Sequence, residues 1–144
     1  MDREKGLRNV LSVLSLVFLL IIGVALTNGL TGCGGGTSSV LISITALDTF
    51  DPQIISVNSG STVRWTNNDT EVHTVTTDAN NTATGGPDSD SVYPDGIPAG
   101  SSYEWTTPAG MAAGTNWYYH CRFHGTAGDG SSLGTGMAGV ITVQ

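Results

Sequence analysis

The chain carries no lysine beyond Lys5, and past Ser12 its only cations are Arg64 and Arg122, set against ten carboxylates. Such a balance argues against a nucleic-acid face, which needs clustered positive charge to displace counterions. A lysine that cradles phosphate or forms a Schiff base is missing, and two isolated arginines make a poor anion clamp, which argues against phosphoryl transfer. Cysteine is equally scarce. Two cysteines with three histidines cannot build a multi-disulfide scaffold or a four-cysteine zinc site, so any metal site is small and of mixed donors. Helix formers are few as well: from Cys33 onward there are three Leu and two Glu against eight Val, six Ile and seventeen Thr, a composition that favours strands. The 144 residues amount to one domain.

Charge is also absent from Val10 to Leu26, VLSVLSLVFLLIIGVAL, which follows a short stretch of weakly positive balance. Residues 1–32 therefore read as a signal peptide or membrane anchor. Leu30-Thr31-Gly32-Cys33 resembles the lipobox of bacterial lipoproteins, and the resemblance implies acylation of Cys33 and a new N-terminus there. Gly34 to Ser39, GGGTSS, imposes no preferred path on the chain. Residues 33–39 are thus assigned as a lipidated cysteine with a flexible tether, and 40–144 as the folded domain. Two other readings stand beside lipidation: an uncleaved anchor, for which seventeen uncharged residues are at the short limit of a span, and a disulfide between Cys33 and Cys121. All place the domain outside the cytoplasm.

Within the domain, period-two alternation recurs in short runs: Val40-Ile42-Ile44-Ala46, Ile55-Val57, Val63-Trp65, His73-Val75, Tyr103-Trp105, Trp117-Tyr119-Cys121 and Ile141-Val143. Each predicts a half-buried strand with one inward face. Turn signals such as Asn58-Ser59-Gly60, Asn67-Asn68-Asp69, Pro94-Asp95-Gly96 and Pro98-Ala99-Gly100 separate them at intervals that suit an all-β sandwich or barrel. Two stretches, Asp78–Gly96 and Gly125–Gly136, are rich in Gly, Ser, Thr, Asn and Asp and are expected as loops.

Residues able to do chemistry concentrate in Trp117-Tyr118-Tyr119-His120-Cys121-Arg122-Phe123-His124-Gly125, followed after eleven more residues by Met137. If 117–121 is a strand, Cys121 shares the inward face with Trp117 and Tyr119 where that strand ends, and His124 folds back over it. His120 has the opposite parity and points away. A second imbidazole would come from His73, at the start of another inward-facing run, since two strand ends can converge at one pole of a sandwich. One thiolate, two imidazoles and a distant thioether select copper, because soft sulfur favours Cu(I) while the nitrogens also satisfy Cu(II). Asn67 or Asn68 is placed to pin the ligand-bearing loops together.

Taken together, Phe50-Asp51-Pro52, Val57, Gly60, Val63, Trp65, Asn67, Asp69, His73 and Val75, with Tyr119, Cys121, His124, Met137, Gly139 and Ile141, resemble the blue-copper (cupredoxin) family, plastocyanin-like branch. The likeness spans nearly all of residues 40–144. It implies an eight-stranded Greek-key β-sandwich holding one type 1 copper ion on His73, Cys121, His124 and Met137. One departure stands out: the segment Gly125–Gly136 is longer than the usual ligand loop of that branch. Met137 is the expected axial donor, with Asp129, a backbone carbonyl or water as the alternatives.

The expected function is therefore one-electron transfer by a membrane-tethered copper protein that catalyses no bond-making step. Its expected partners are redox proteins such as cytochromes or copper oxidoreductases, with no nucleic acid among them. An acidic surface would steer it toward basic faces. Two alternatives use the same residues: an envelope copper-binding or delivery protein, and an electron-transfer subunit of a larger oxidoreductase. An oxygen-reducing copper cluster is excluded, because three histidines in all leave none to build it.

Overall fold

The structure is a computed structural model that describes residues 39–144. The hydrophobic segment, the Cys33 motif and the tether up to Ser38 lie outside the described residues. Strands β1 (Ser39–Thr45), β2 (Thr49–Asp51), β3 (Ile54–Val57), β4 (Thr62–Asn67), β5 (Thr76–Thr77), β6 (Ser102–Thr106), β7 (Asn116–Thr126) and β8 (Thr135–Val143) follow in chain order. They form two four-stranded sheets, ordered β2-β1-β4-β6 and β3-β8-β7-β5. Every connection except β1–β2 and β7–β8 crosses from one sheet to the other. The only helical element among the described residues is a 3-10 turn at Ser89–Ser91, and an all-β sandwich results, as the alternation predicts.

The alternation explains the layers. In β1, Ile42 and Ile44 point inward while Leu41 is exposed. In β4, Val63, Trp65 and Asn67 are buried, and Arg64 faces out to meet Glu104 of β6 at 3.4 Å. Trp65 stacks on Tyr103 with ring centroids 5.6 Å apart and meets the edge of Tyr119 at 5.5 Å, while Phe50 closes on Tyr119 at 4.9 Å. Aromatic side chains bury large areas and favour such offset and edge contacts, so this cluster ties the two sheets together directly beneath the end of β7.

Two predicted segments are organised differently. The run His73–Val75 is not a strand: His73 makes only an isolated bridge to Ile97, and regular pairing begins at Thr76. Its backbone donors go to side chains instead of a ladder, Thr74 N–H to Cys121 Sγ at 3.3 Å and Val75 N–H to Ser89 Oγ at 2.9 Å. All three residues are buried, which a half-buried strand would not allow. Within Gly125–Gly136 the expected loop is present but shorter: residues 127–134 are loop, while β7 and β8 continue past the site and pair Gly125 with Gly136 and Thr126 with Thr135. The two threonine hydroxyls at that rung are 2.7 Å apart.

Candidate metal centre

Strand β7 pairs regularly with β8 from Asn116 to His120, loses register, and regains it at Gly125. Cys121 and His124 therefore sit at the two ends of a bulge, which bends a strand and re-aims its side chains. The close approach that follows admits no side chain: a Cβ on Gly125 would collide with the Met137 backbone, and one on Gly136 with the His124 carbonyl. Gly136 also takes φ +68, in the left-handed region that glycine enters at little cost. Met137 is buried in the core beside these residues, its neighbours Gly136 and Ala138 pairing with Gly125 and His120. It thus lies across from the bulge, as the parity of β8 predicts.

The bulge brings three donors together. Cys121 Sγ is 3.6 Å from His124 Nδ1 and 3.8 Å from His73 Nδ1, and the two nitrogens are 3.1 Å apart. A point about 2 Å from all three atoms exists within such a triangle, close to ordinary metal–imidazole and metal–thiolate bond lengths. Cys121 and His73 are fully buried, whereas the His124 side chain keeps 23% of its surface exposed. Thiolate and imidazole suit both zinc and copper, so these three donors, without the thioether, do not choose between them.

Around the donors, carboxylate, amide and hydroxyl groups hold the ligand-bearing segments in place. His73 presents Nδ1 to the cluster because Nε2 is held by the Asp69 carboxylate at 3.0 Å. Such a carboxylate partner fixes ring orientation and tautomer in metal sites. The same hydrogen bond from His73, reinforced by the Thr70 backbone N–H, holds the Asp69 carboxyl below the usual carboxylate range, since bonds to the charged form favour it. Of the two candidate asparagines Asn67 is the buried one, but it braces only the His73 side and does not join the two ligand-bearing segments. It is fully buried, donates to the carbonyls of Glu71 and Ile97 at 2.8 and 2.9 Å, and accepts from the Asp69 N–H. Asn68 is exposed and bonds Ser43.

Thr74 escaped the sequence reading, although its place directly after His73 was a usable signal. Its N–H reaches Cys121 Sγ, and its hydroxyl accepts from the Arg122 N–H at 2.9 Å, so it joins the two ligand-bearing segments. Asp129, an alternative axial donor, is committed elsewhere: one carboxylate oxygen accepts from the N–H and hydroxyl of both Ser131 and Ser132. Those bonds bring its carboxyl down to about 2. His120 points away from the cluster and meets Asp78.

Comparison with known proteins separates the metals. A model of copper-binding proteins, the plastocyanin/azurin family, matches residues 38–144. The chain belongs to that family. This cupredoxin carries copper as its metal, and the donors His73, Cys121 and His124 form a group suited to it. Solved structures of amicyanin variants share the fold: an oxidised form at 19% identity and TM-score 0.51, covering 74% of this chain and 82% of its own. A reduced Cu(I) form at pH 4 gives 20% and 0.50, covering 74% and 83%. No curated protein sequence matches the chain.

Proposed function

We propose that the domain is a type 1 (blue) copper electron carrier whose metal is held by His73, Cys121 and His124, with Met137 as the axial donor. The observation that carries this reading is the convergence of one sulfur and two ring nitrogens within 3.8 Å. Copper, when bound, supplies a one-electron couple between Cu(I) and Cu(II). The protein's part is to hold the donors still. Buried His73 and Cys121 are locked by Asp69, Thr74 and the aromatic core, so little rearranges between oxidation states. The Cys121 thiol lies against two imidazoles but is fully buried, closed to a substrate, which supports a carrier rather than a thiol enzyme.

Electrons would pass through the exposed edge of His124. Val72 and Phe123 converge on Gly96 beside it, and Leu47 adjoins Asp48, whose carboxylate is 3.7 Å from the His124 ring. Glu71 lies 3.4 Å from Nε2 of the same ring. Exposed apolar side chains fringed by carboxylates suit a redox partner with a basic face, such as a cytochrome or copper oxidoreductase, whose docking weakens with salt.

Residues 33–39 would tether the carrier at the outer face of a membrane through acylated Cys33, raising its concentration where partners reside. Optical and paramagnetic-resonance spectra of the copper-loaded domain test the central claim. An intense thiolate-to-copper band with reversible one-electron cycling is expected. A weakly coloured site that yields copper to mild chelators would instead support the delivery reading. For the tether, Cys33→Ala is expected to release the protein from membranes, and retention would identify an uncleaved anchor.

A further inference from the structure

Asp78 is fully buried, yet it is no part of the donor cluster. One carboxylate oxygen accepts from His120 Nδ1–H and the other from the Gly128 N–H, each at 2.6 Å. His120 is the last regularly paired residue of β7 before the bulge, and Gly128 follows the rung that restores pairing on the far side. The carboxylate therefore spans the irregular stretch and grips the chain on both sides of Cys121 and His124. Its own N–H donates to the Tyr118 carbonyl at 2.9 Å, which anchors it to the regular part of the strand.

We infer that Asp78 is a positioning residue for the copper site, a buried latch that steadies Cys121 and His124 by fastening His120, directly before the bulge, to the loop that follows the two restored rungs. The inference rests on the copper reading above and adds a residue from a loop far from the donors in sequence. Its physical basis is that residues 121–124 lack ladder bonds to β8, so side-chain acceptors must replace them. Thr74 does so from within, through Arg122 N–H and Cys121 Sγ; Asp78 holds the chain from outside, at His120 before the bulge and at Gly128 beyond the restored rungs. A buried carboxylate is costly unless it accepts strong hydrogen bonds. Here both oxygens do, which explains why it is tolerated.

The control for general loosening is Asn81. It joins the same loop to β7 through paired bonds to the Tyr118 N–H and carbonyl, 2.9 and 2.8 Å, but touches neither end of the bulge. In the copper-loaded full chain, Asp78→Asn removes one acceptor and is expected to move the reduction potential, the charge-transfer band and the paramagnetic-resonance splitting. Asn81→Ala is expected to lower thermal stability and leave all three in place. The inference is overturned if Asp78→Asn leaves them unchanged, or if Asn81→Ala moves them as far.

Should Asp78→Asn fail to fold, the native chain still decides. The Gly128 amide should exchange on the order of tenfold more slowly than the amides of Asp129 and Gly130, in the metal-free as well as the copper-loaded protein. Equal exchange would discard the latch. Because that measurement needs no metal, it stands apart from the copper reading, which would fail through a colourless wild type.

Discussion

Strand β7 contains two kinds of structure end to end. From Asn116 to His120 it is a regular strand, with Trp117 and Tyr119 inward and its backbone paired to β8; from Cys121 to His124 the ladder is broken. The first part is held by what repeats along a sheet, namely alternate burial and rung-by-rung hydrogen bonds. The second is held by individual groups from distant segments, Thr74 and His73, with Asp78 gripping the chain on either side of it. The difference separates stability from chemistry within one strand, and mutations should respect that division.

The largest expected effect is Cys121→Ser. It replaces the soft donor, abolishes the intense visible band, and leaves the sandwich folded by circular dichroism, because the sheets are joined by aromatic packing that needs no metal. Intense colour in that variant would break the assignment. Trp117→Ala probes the regular part. The indole is fully buried, packed at 5.1 Å against Trp105 and bonded to the Thr84 carbonyl, so its loss should cost about 3–5 kcal/mol in denaturant titration. Molecules that still fold should keep the spectrum of the parent.

Thr74→Val belongs to the irregular part. It keeps the volume and the N–H to sulfur but strands the Arg122 N–H and the Thr76 hydroxyl, both of which Thr74 Oγ accepts. A loss of about 1–2 kcal/mol is expected, with a measurable shift of the charge-transfer band. The smallest effect concerns Asp129, whose carboxyl is depressed from 3.8 to about 2 by the hydroxyl and N–H groups of Ser131 and Ser132. A depressed carboxyl lends order that is present above its unfolded value and is lost as pH falls through the folded one. Nuclear magnetic resonance should therefore show the 127–134 loop loosening between about pH 4 and pH 2, with the β7–β8 ladder unaffected.

The same division governed what could be read from the amino-acid order. Strands β1, β4, β6 and β7 announce themselves through alternation, because one face of each is buried, whereas β8 alternates only at Ile141-Val143 and is buried on both faces from Met137 to Ile141. Cys121 and His124 were legible from their spacing at a strand exit, and His73 from its distance to Trp65 and Asn67. The segment after His73 was not, since its N–H groups find a sulfur and a serine hydroxyl from elsewhere in the fold, and no local pattern encodes that. The stretch 125–136 was legible as a loop at 127–134 but not at its ends, where Gly125 and Gly136 are small so that two paired backbones can approach at the bulge. Asp78 was invisible as a participant because its partners lie 42 and 50 residues away.

The shortage of cations leaves a practical handle. Trypsin cuts only after lysine or arginine, and within residues 39–144 it finds Arg64 and Arg122 alone. Arg64 lies inside β4, which is paired on both sides by β1 and β6, so scission there waits for the sheet to come apart. Arg122 lies between Cys121 and His124, and hydrolysis of that one peptide bond divides the sulfur from a nitrogen donor. A protease thus becomes a gauge that distinguishes momentary gaping of the metal pole from collapse of the whole sandwich.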